Sequence, residues 1–251
     1  PGQIVSAAAQ LRAAGFKPVP HIAAREIAGE AFADDLLARL SAEAAVDQVL
    51  LIAGDASNPA GPYDSSAQFI AAGLLQRHGI RRIGLAGYPE GSPRLPAGRA
   101  DALLVEKLSL AAQGGLDAYV VSQFCFEGET ILAWLDRLKE EGIRAEIRVG
   151  LAGCASLKTL LGYALRCGVV ASARALKSRA ASITRLLSQV GPDQPLAVLA
   201  AGLGDAELSA RVRLHFYPFG GVVATAKWLD AVREGRFVLA AEGSGFVVSE
   251  G

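Results

Sequence analysis

Five stretches of this chain carry side chains that could recognise or transform a ligand. Pro20 and His21 place an imidazole in a short apolar run. The run LLIAGD (50–55) ends in a carboxylate, Asp55, after Gly54, a residue that permits close backbone approach. GYPEGSP (87–93) joins Tyr88, Glu90 and two prolines, so a fixed loop offers a ring that can stack on a flat ligand. Gln123 interrupts the apolar run VVSQFCF, and a buried amide must find partners. HFYPFGG (215–221) gathers three aromatic rings around Tyr217. Each has a plainer reading: a satisfied structural His, an Asx turn or helix cap at Asp55, a rigid turn, a core amide, a packed aromatic core. The set has few charged groups, the carboxylates Asp55 and Glu90 among uncharged polar side chains, with no P-loop, catalytic triad order, CxxC or HExxH. That inventory suits a flat heteroaromatic ligand better than phosphoryl transfer or metal hydrolysis, and no metal site is expected.

Positioning these groups falls to a repeating order of elements. Strand-like runs cover Lys17–Ala24, Gln48–Gly54, Arg81–Tyr88, Ala118–Phe126, Ala145–Gly153 and Arg211–Gly220. Each is continuously apolar, as parallel strands buried on both faces are. Helical periodicity covers Ile4–Ala14, Glu26–Glu43, Ser65–Arg77, Ala100–Ala112, Thr130–Glu141, Ser156–Arg166, Ala173–Gln189 and Val222–Arg233, with Gly15, Gly79, Gly142 and Gly235 at expected helix ends. Alternating α and β elements imply parallel crossovers. Both a doubly wound sheet and a (β/α)8 barrel lacking its first two strands fit. The barrel is favoured because His21, Asp55, Tyr88, Gln123 and Tyr217 all read as lying at strand C-terminal ends, where such barrels build their sites. No GxGxxG follows a strand, which removes the usual dinucleotide fingerprint. One α/β domain over residues 1–251 is expected, with 237–251 forming a small hairpin or a flexible tail.

Charge and composition exclude several classes. Lys plus Arg and Asp plus Glu each number 25, so nothing suggests a nucleic-acid or polybasic membrane surface. No apolar run reaches the ~18–20 residues of a membrane span. Three widely spaced cysteines, Cys125, Cys154 and Cys167, read as buried thiols in a reducing, cytoplasmic compartment. The absence of Met behind an initial Pro1 reads as a start lying upstream.

The ordered motifs PH (20–21), LLIAGD (50–55), AGYPEGSP (86–93), VVSQFCFE (120–127), IRVGLAG (147–153) and HFY (215–217) resemble the methylenetetrahydrofolate reductase family. The resemblance runs from about Gln3 to about Trp228. It implies a flavin-bearing (β/α)8 barrel that uses NADH or NADPH to reduce 5,10-methylenetetrahydrofolate to 5-methyltetrahydrofolate. FAD contacts are then expected at His21, Gly54, Asp55, Tyr88, Ser92, Asp101 and Lys107. The folate would lie against Gln123, Tyr217 and Leu157, and Asp55 would serve both ligands as the catalytic carboxylate. The family's first two strands, and the general-acid Glu on the first, would precede residue 1. The implied partner is a tetrahydrofolate derivative, with self-association of the chain allowed.

Departures from the family pattern thin the cofactor site. Ala53 stands where an Arg is usual, Ser92 replaces a His, Leu108 removes one of two paired basic residues, and Leu157 replaces an aromatic. Gly220 and Gly221 replace the Asn and Arg after HFY. Charged phosphate partners make the stronger hydrogen bonds, so weak flavin binding is expected. Two rivals stay open: a flavin-free reductase passing hydride directly, and a non-catalytic folate- or flavin-binding homologue.

Overall fold

The computed structural model describes residues 2–92, 94–169, 174, 189–240 and 245–248. Its elements run α1 (Gly2–Ala13), β1 (His21–Ala23), α2 (Glu30–Ala44), β2 (Gln48–Ile52), α3 (Ser66–Ala71), α4 (Leu74–Arg77), β3 (Arg82–Gly87), α5 (Arg99–Gln113) and β4 (Asp117–Ser122). They continue with α6 (Gly128–Glu140), β5 (Ile147–Ala152), β6 (Ala155–Ser156), α7 (Leu157–Cys167), β7 (Gln189–Val190), α8 (Asp193–Gly202), α9 (Ala206–Arg211), β8 (Val212–Tyr217), α10 (Val222–Arg233), β9 (Phe237–Leu239) and β10 (Phe246–Val248). The fold is α/β, with a six-stranded parallel sheet in the order β1-β2-β3-β4-β5-β8. The end strands β1 and β8 each have one neighbour, so the described strands form no closed barrel.

Two compact units divide the chain: Pro1–Gly87 with Asp101–Val120, and Tyr88–Ala100 with Val121–Gly251. In the first, β2 pairs in parallel with both β1 and β3, bringing His21 level with Leu50 and Leu50 level with Gly84. Val49, Leu51, Ile83 and Leu85 are fully buried on one sheet face. The face with Leu50 and Gly84 opens toward the strand ends, where Ile52 and Ala86 are half-exposed. In the second unit, β5 pairs with β8 from Ile147↔Val212 to Ala152↔Tyr217. Ser156 caps α7, its Oγ accepting from the Thr159 N–H at 3.2 Å. Helix α9 starts likewise on Asp205, which accepts from the Leu208 N–H at 2.7 Å.

Three sequence expectations are corrected. His21 opens β1 rather than ending a strand, because Pro18 and Pro20 lack the N–H groups that would extend the ladder upstream. Gln123 lies just past the end of β4, not inside it. The helix expected over Ser65–Arg77 breaks at Gly73, whose φ of 69° separates α3 from α4. The helix expected over Ala173–Gln189 falls almost wholly outside the described residues. The tail does form a hairpin, β9 antiparallel to β10. Among the described residues no helix is long and apolar enough to cross a membrane.

Candidate functional site

The first unit holds five of the expected residues. Gly54 follows β2 with φ 94°, and a Cβ there would stand 2.9 Å from the Ala23 Cβ. This close approach sets the turn that carries Asp55 into solvent. The backbone around it is tied down: the Arg25 N–H donates to the Ala53 carbonyl at 2.9 Å, and Arg25 Nη1 lies 3.1 Å from Asp64. His21 reaches solvent, yet the protein around the ring lowers its pKa by desolvation, which favours the neutral imidazole. Lys107, half-exposed on α5, behaves similarly: burial pulls its pKa down, while Glu106 beside it pulls weakly upward. Asp101 occupies the first turn of the same helix, where a carboxylate suits the positive end of the dipole. Six residues separate it from Lys107, roughly 9 Å along the axis, so the two lie on different helix faces.

The second unit brings Tyr88, Gln123 and Tyr217 together. Ser122, fully buried at the end of β4, is the hub. Its hydroxyl donates to the Gln123 carbonyl and accepts from the Gly150 N–H, both at 2.8 Å, while its own carbonyl accepts from the Tyr217 hydroxyl at 3.0 Å. Gln123 Nε2 donates to the Cys167 carbonyl at 2.9 Å. Burial first, then Tyr88 and Cys167 nearby, push the Tyr217 pKa upward, so its phenol stays protonated. The Tyr217 ring lies 5.8 Å from Phe124 and stacks on Phe219 at 6.0 Å. Phe219 also stacks on Tyr163, 4.3 Å between centroids. It has φ 45°, which is unusual for a bulky residue and is held by these ring contacts.

Two expected residues stand apart from this group. Leu157 is 4% exposed in an apolar cluster with Ala152, Ala155 and Leu160, so it contributes packing rather than an open wall. Ser92 folds onto its own turn, its Oγ accepting from the Arg94 N–H at 3.3 Å. Sequence reasoning missed Ser122 and Tyr163, and took Phe219 only as one of the three aromatics of HFYPFGG; Ser122 adjoins Gln123 in VVSQFCF. Tyr163 gives no signal beyond its place on a helix. The unit thus gathers half-buried aromatic rings packed against Phe124, with the Gln123 amide and the Tyr217 hydroxyl each donating to a backbone carbonyl, groups of the chemical type that can meet a flat ring with polar edges.

No family model matches this chain. The 5,10-methylenetetrahydrofolate reductase of Pectobacterium carotovorum subsp. carotovorum is 26% identical to it over 151 residues, covering 60% of this chain and 48% of that protein. The chain therefore spans about half the length of the curated relative it matches. That similarity makes the chain a distant relative of a 5,10-methylenetetrahydrofolate reductase.

Proposed function

We propose that this chain is an oxidoreductase that reduces 5,10-methylenetetrahydrofolate to 5-methyltetrahydrofolate with NADH or NADPH through a bound flavin. On this reading it forms part of a (β/α)8 barrel whose closure takes two further strands. The observation that carries it is the half-buried aromatic cluster with Gln123 tethered beside Tyr217, and the distant relationship supports it. A pterin is flat, with donors and acceptors on its edge. Aromatic rings bind its faces, and an amide held by the Cys167 carbonyl keeps its edge in register.

The donor set fits a flavin dinucleotide in chemical type. Lys107, whose ammonium burial disfavours, would gain from a phosphate charge. Neutral His21 can donate or accept at a ring edge, Tyr88 offers a ring and Asp101 a ribose partner. Such a flavin would pass hydride from the nicotinamide to the folate's one-carbon unit. Asp55 is the residue assigned to the charge that develops: opening the folate's five-membered ring leaves an iminium cation, which an oriented carboxylate stabilises.

The test is NADH and NADPH oxidation by the purified chain with methylenetetrahydrofolate, with and without added FAD, with 5-methyltetrahydrofolate quantified. Folate-dependent oxidation that rises with FAD supports the reading. Folate-dependent oxidation indifferent to FAD replaces it with direct hydride transfer. Folate binding without oxidation makes the chain a binding homologue.

A further inference from the structure

Strand β4 ends at Ser122, while its neighbour β5 runs on past Gly150 to Ala152. At this point one residue of β5 holds both ends of a short break in β4. The Gly150 N–H donates to the Ser122 Oγ at 2.8 Å, and the Gly150 carbonyl accepts from the Cys125 N–H at 3.3 Å. Pairing then resumes for one residue, with Cys125 beside Leu151. Gln123 and Phe124 are left out of the ladder between two fixed points. Breaks of this kind re-aim side chains.

The two residues go to different surroundings. Phe124 is buried beside Ala164 and Val169, under the rings of Phe126, Tyr217 and Phe219. Gln123 stays half-buried and reaches the Cys167 carbonyl at 2.9 Å. That bond uses one amide hydrogen. The amide has a second hydrogen and an oxygen, a donor–acceptor pair that complements the polar edge of a ring such as a pterin.

The fully buried Ser122 side chain bonds in both directions here. It accepts from the Gly150 N–H, and it donates to the Gln123 carbonyl at 2.8 Å. Satisfying the sheet needs only the first bond. The second restrains the peptide plane that follows Gln123, and so the direction in which the Gln123 side chain leaves the backbone. The Tyr217 hydroxyl braces the same point from β8, donating to the Ser122 carbonyl at 3.0 Å. The Tyr217 ring crosses β5 at Gly150, where a Cβ would stand 2.8 Å from Tyr217 Cε2 and 3.0 Å from the Gln123 carbonyl carbon. Three strands are thus tied together at the one residue before the amide.

We infer that Ser122 is a positioning residue for Gln123: its hydroxyl holds the break that aims the Gln123 amide, and with it the register of the ligand's ring edge. The inference rests on the folate reading of that amide. It goes beyond that reading by assigning the aim to a buried hydroxyl on the neighbouring residue.

A double-mutant cycle of Ser122→Ala and Gln123→Ala in the full chain tests it, read in folate kinetics and in the NMR spectrum of side-chain amides. Ser122→Ala is expected to raise the folate KM about three- to tenfold, with kcat within about twofold of the wild type. In the Gln123→Ala background the same substitution is expected to add less than about twofold, because its target is gone. Ser122→Thr, which keeps the hydroxyl, is expected to retain the wild-type KM. Without any ligand, the Gln123 amide resonances, assigned by their loss in Gln123→Ala, are expected to move toward those of a solvated amide in Ser122→Ala. Where Ser122→Ala does not fold, Ser122→Cys, a weak acceptor of similar size, takes its place. Additive KM effects in the cycle overturn the inference, as do amide resonances that stay where they were. A wild type that neither binds folate nor oxidises NADH or NADPH in its presence overturns the folate reading instead, and the amide resonances alone then decide whether Ser122 positions Gln123.

Discussion

Gln123 gives an amide hydrogen to the carbonyl oxygen of Cys167, 2.9 Å away at the last turn of α7. The same side chain thus fastens a helix end and holds an amide beside the Tyr217 phenol. Gln123→Ala should cost stability as well as ligand affinity. One hydrogen bond of this kind contributes about 0.5–1.5 kcal/mol, and the folate KM is expected to rise by about one decade. Denaturant unfolding beside folate kinetics checks both. A stability loss without any kinetic change would leave the residue purely structural.

Asp55→Asn should leave the fold intact, because the side chain projects into solvent beyond β2. If the carboxylate steadies a developing cation, kcat and kcat/KM fall together while folate binding changes little. Steady-state kinetics with unfolding curves for both proteins decides this, and unchanged turnover removes Asp55 from the reaction.

Lys107→Met tests the cofactor side. Removal of a cation that contacts phosphate should weaken FAD binding about tenfold or more, read by flavin fluorescence titration of the apo-protein. Burial disfavours the ammonium, so the substitution should not destabilise the apo-protein. Equal FAD affinity in the two proteins would place the dinucleotide elsewhere.

His21 has a folded pKa below its ordinary value of 6.5. The unfolded chain therefore binds the proton more readily, and this residue's contribution to stability is complete above about pH 6.5. It is lost as pH falls from there toward the folded pKa and is constant below it. Replacement by Gln should flatten that part of the stability–pH curve, and thermal unfolding across pH 4–8 would show it.

Gly54→Ala places a Cβ 2.9 Å from that of Ala23 at a φ of 94°. A destabilisation of about 1–3 kcal/mol is expected, with turnover falling further than stability because Asp55 moves with its neighbour. The double variant Gly54→Ala/Asp55→Asn should then be no slower than Asp55→Asn alone.

Much of this architecture is legible in the residues. Five of the six apolar runs contain a strand of the sheet and the sixth misses only Asp117 at the start of β4, and Gly15, Gly79, Gly142 and Gly235 all adopt positive φ. Helix α10 matches its expected bounds because Gly221 and Gly235 bracket a clean period. The misses have local causes. Periodicity continues through Gly73 although the backbone does not. Helix α8 is apolar nearly all round and carries Pro195 in its first turn, so it shows no stripe. The end of β4 was invisible because it depends on the Ser122 hydroxyl, which takes over the Gly150 N–H that a ladder carbonyl would otherwise bind. The candidate residues were found as types in the right order. That Gln123 leans on Cys167, and that Leu157 sinks into a core, depends on contacts between distant parts of the chain.

The pairing of β6 with β7, Ala155 to Val190 and Ser156 to Gln189, acts as a clasp across everything between them. Helix α7 starts directly on that clasp, so the Cys167 carbonyl that holds Gln123 and the Tyr163 ring that stacks on Phe219 are both placed by a helix whose capping residue, Ser156, is fixed by a strand pair.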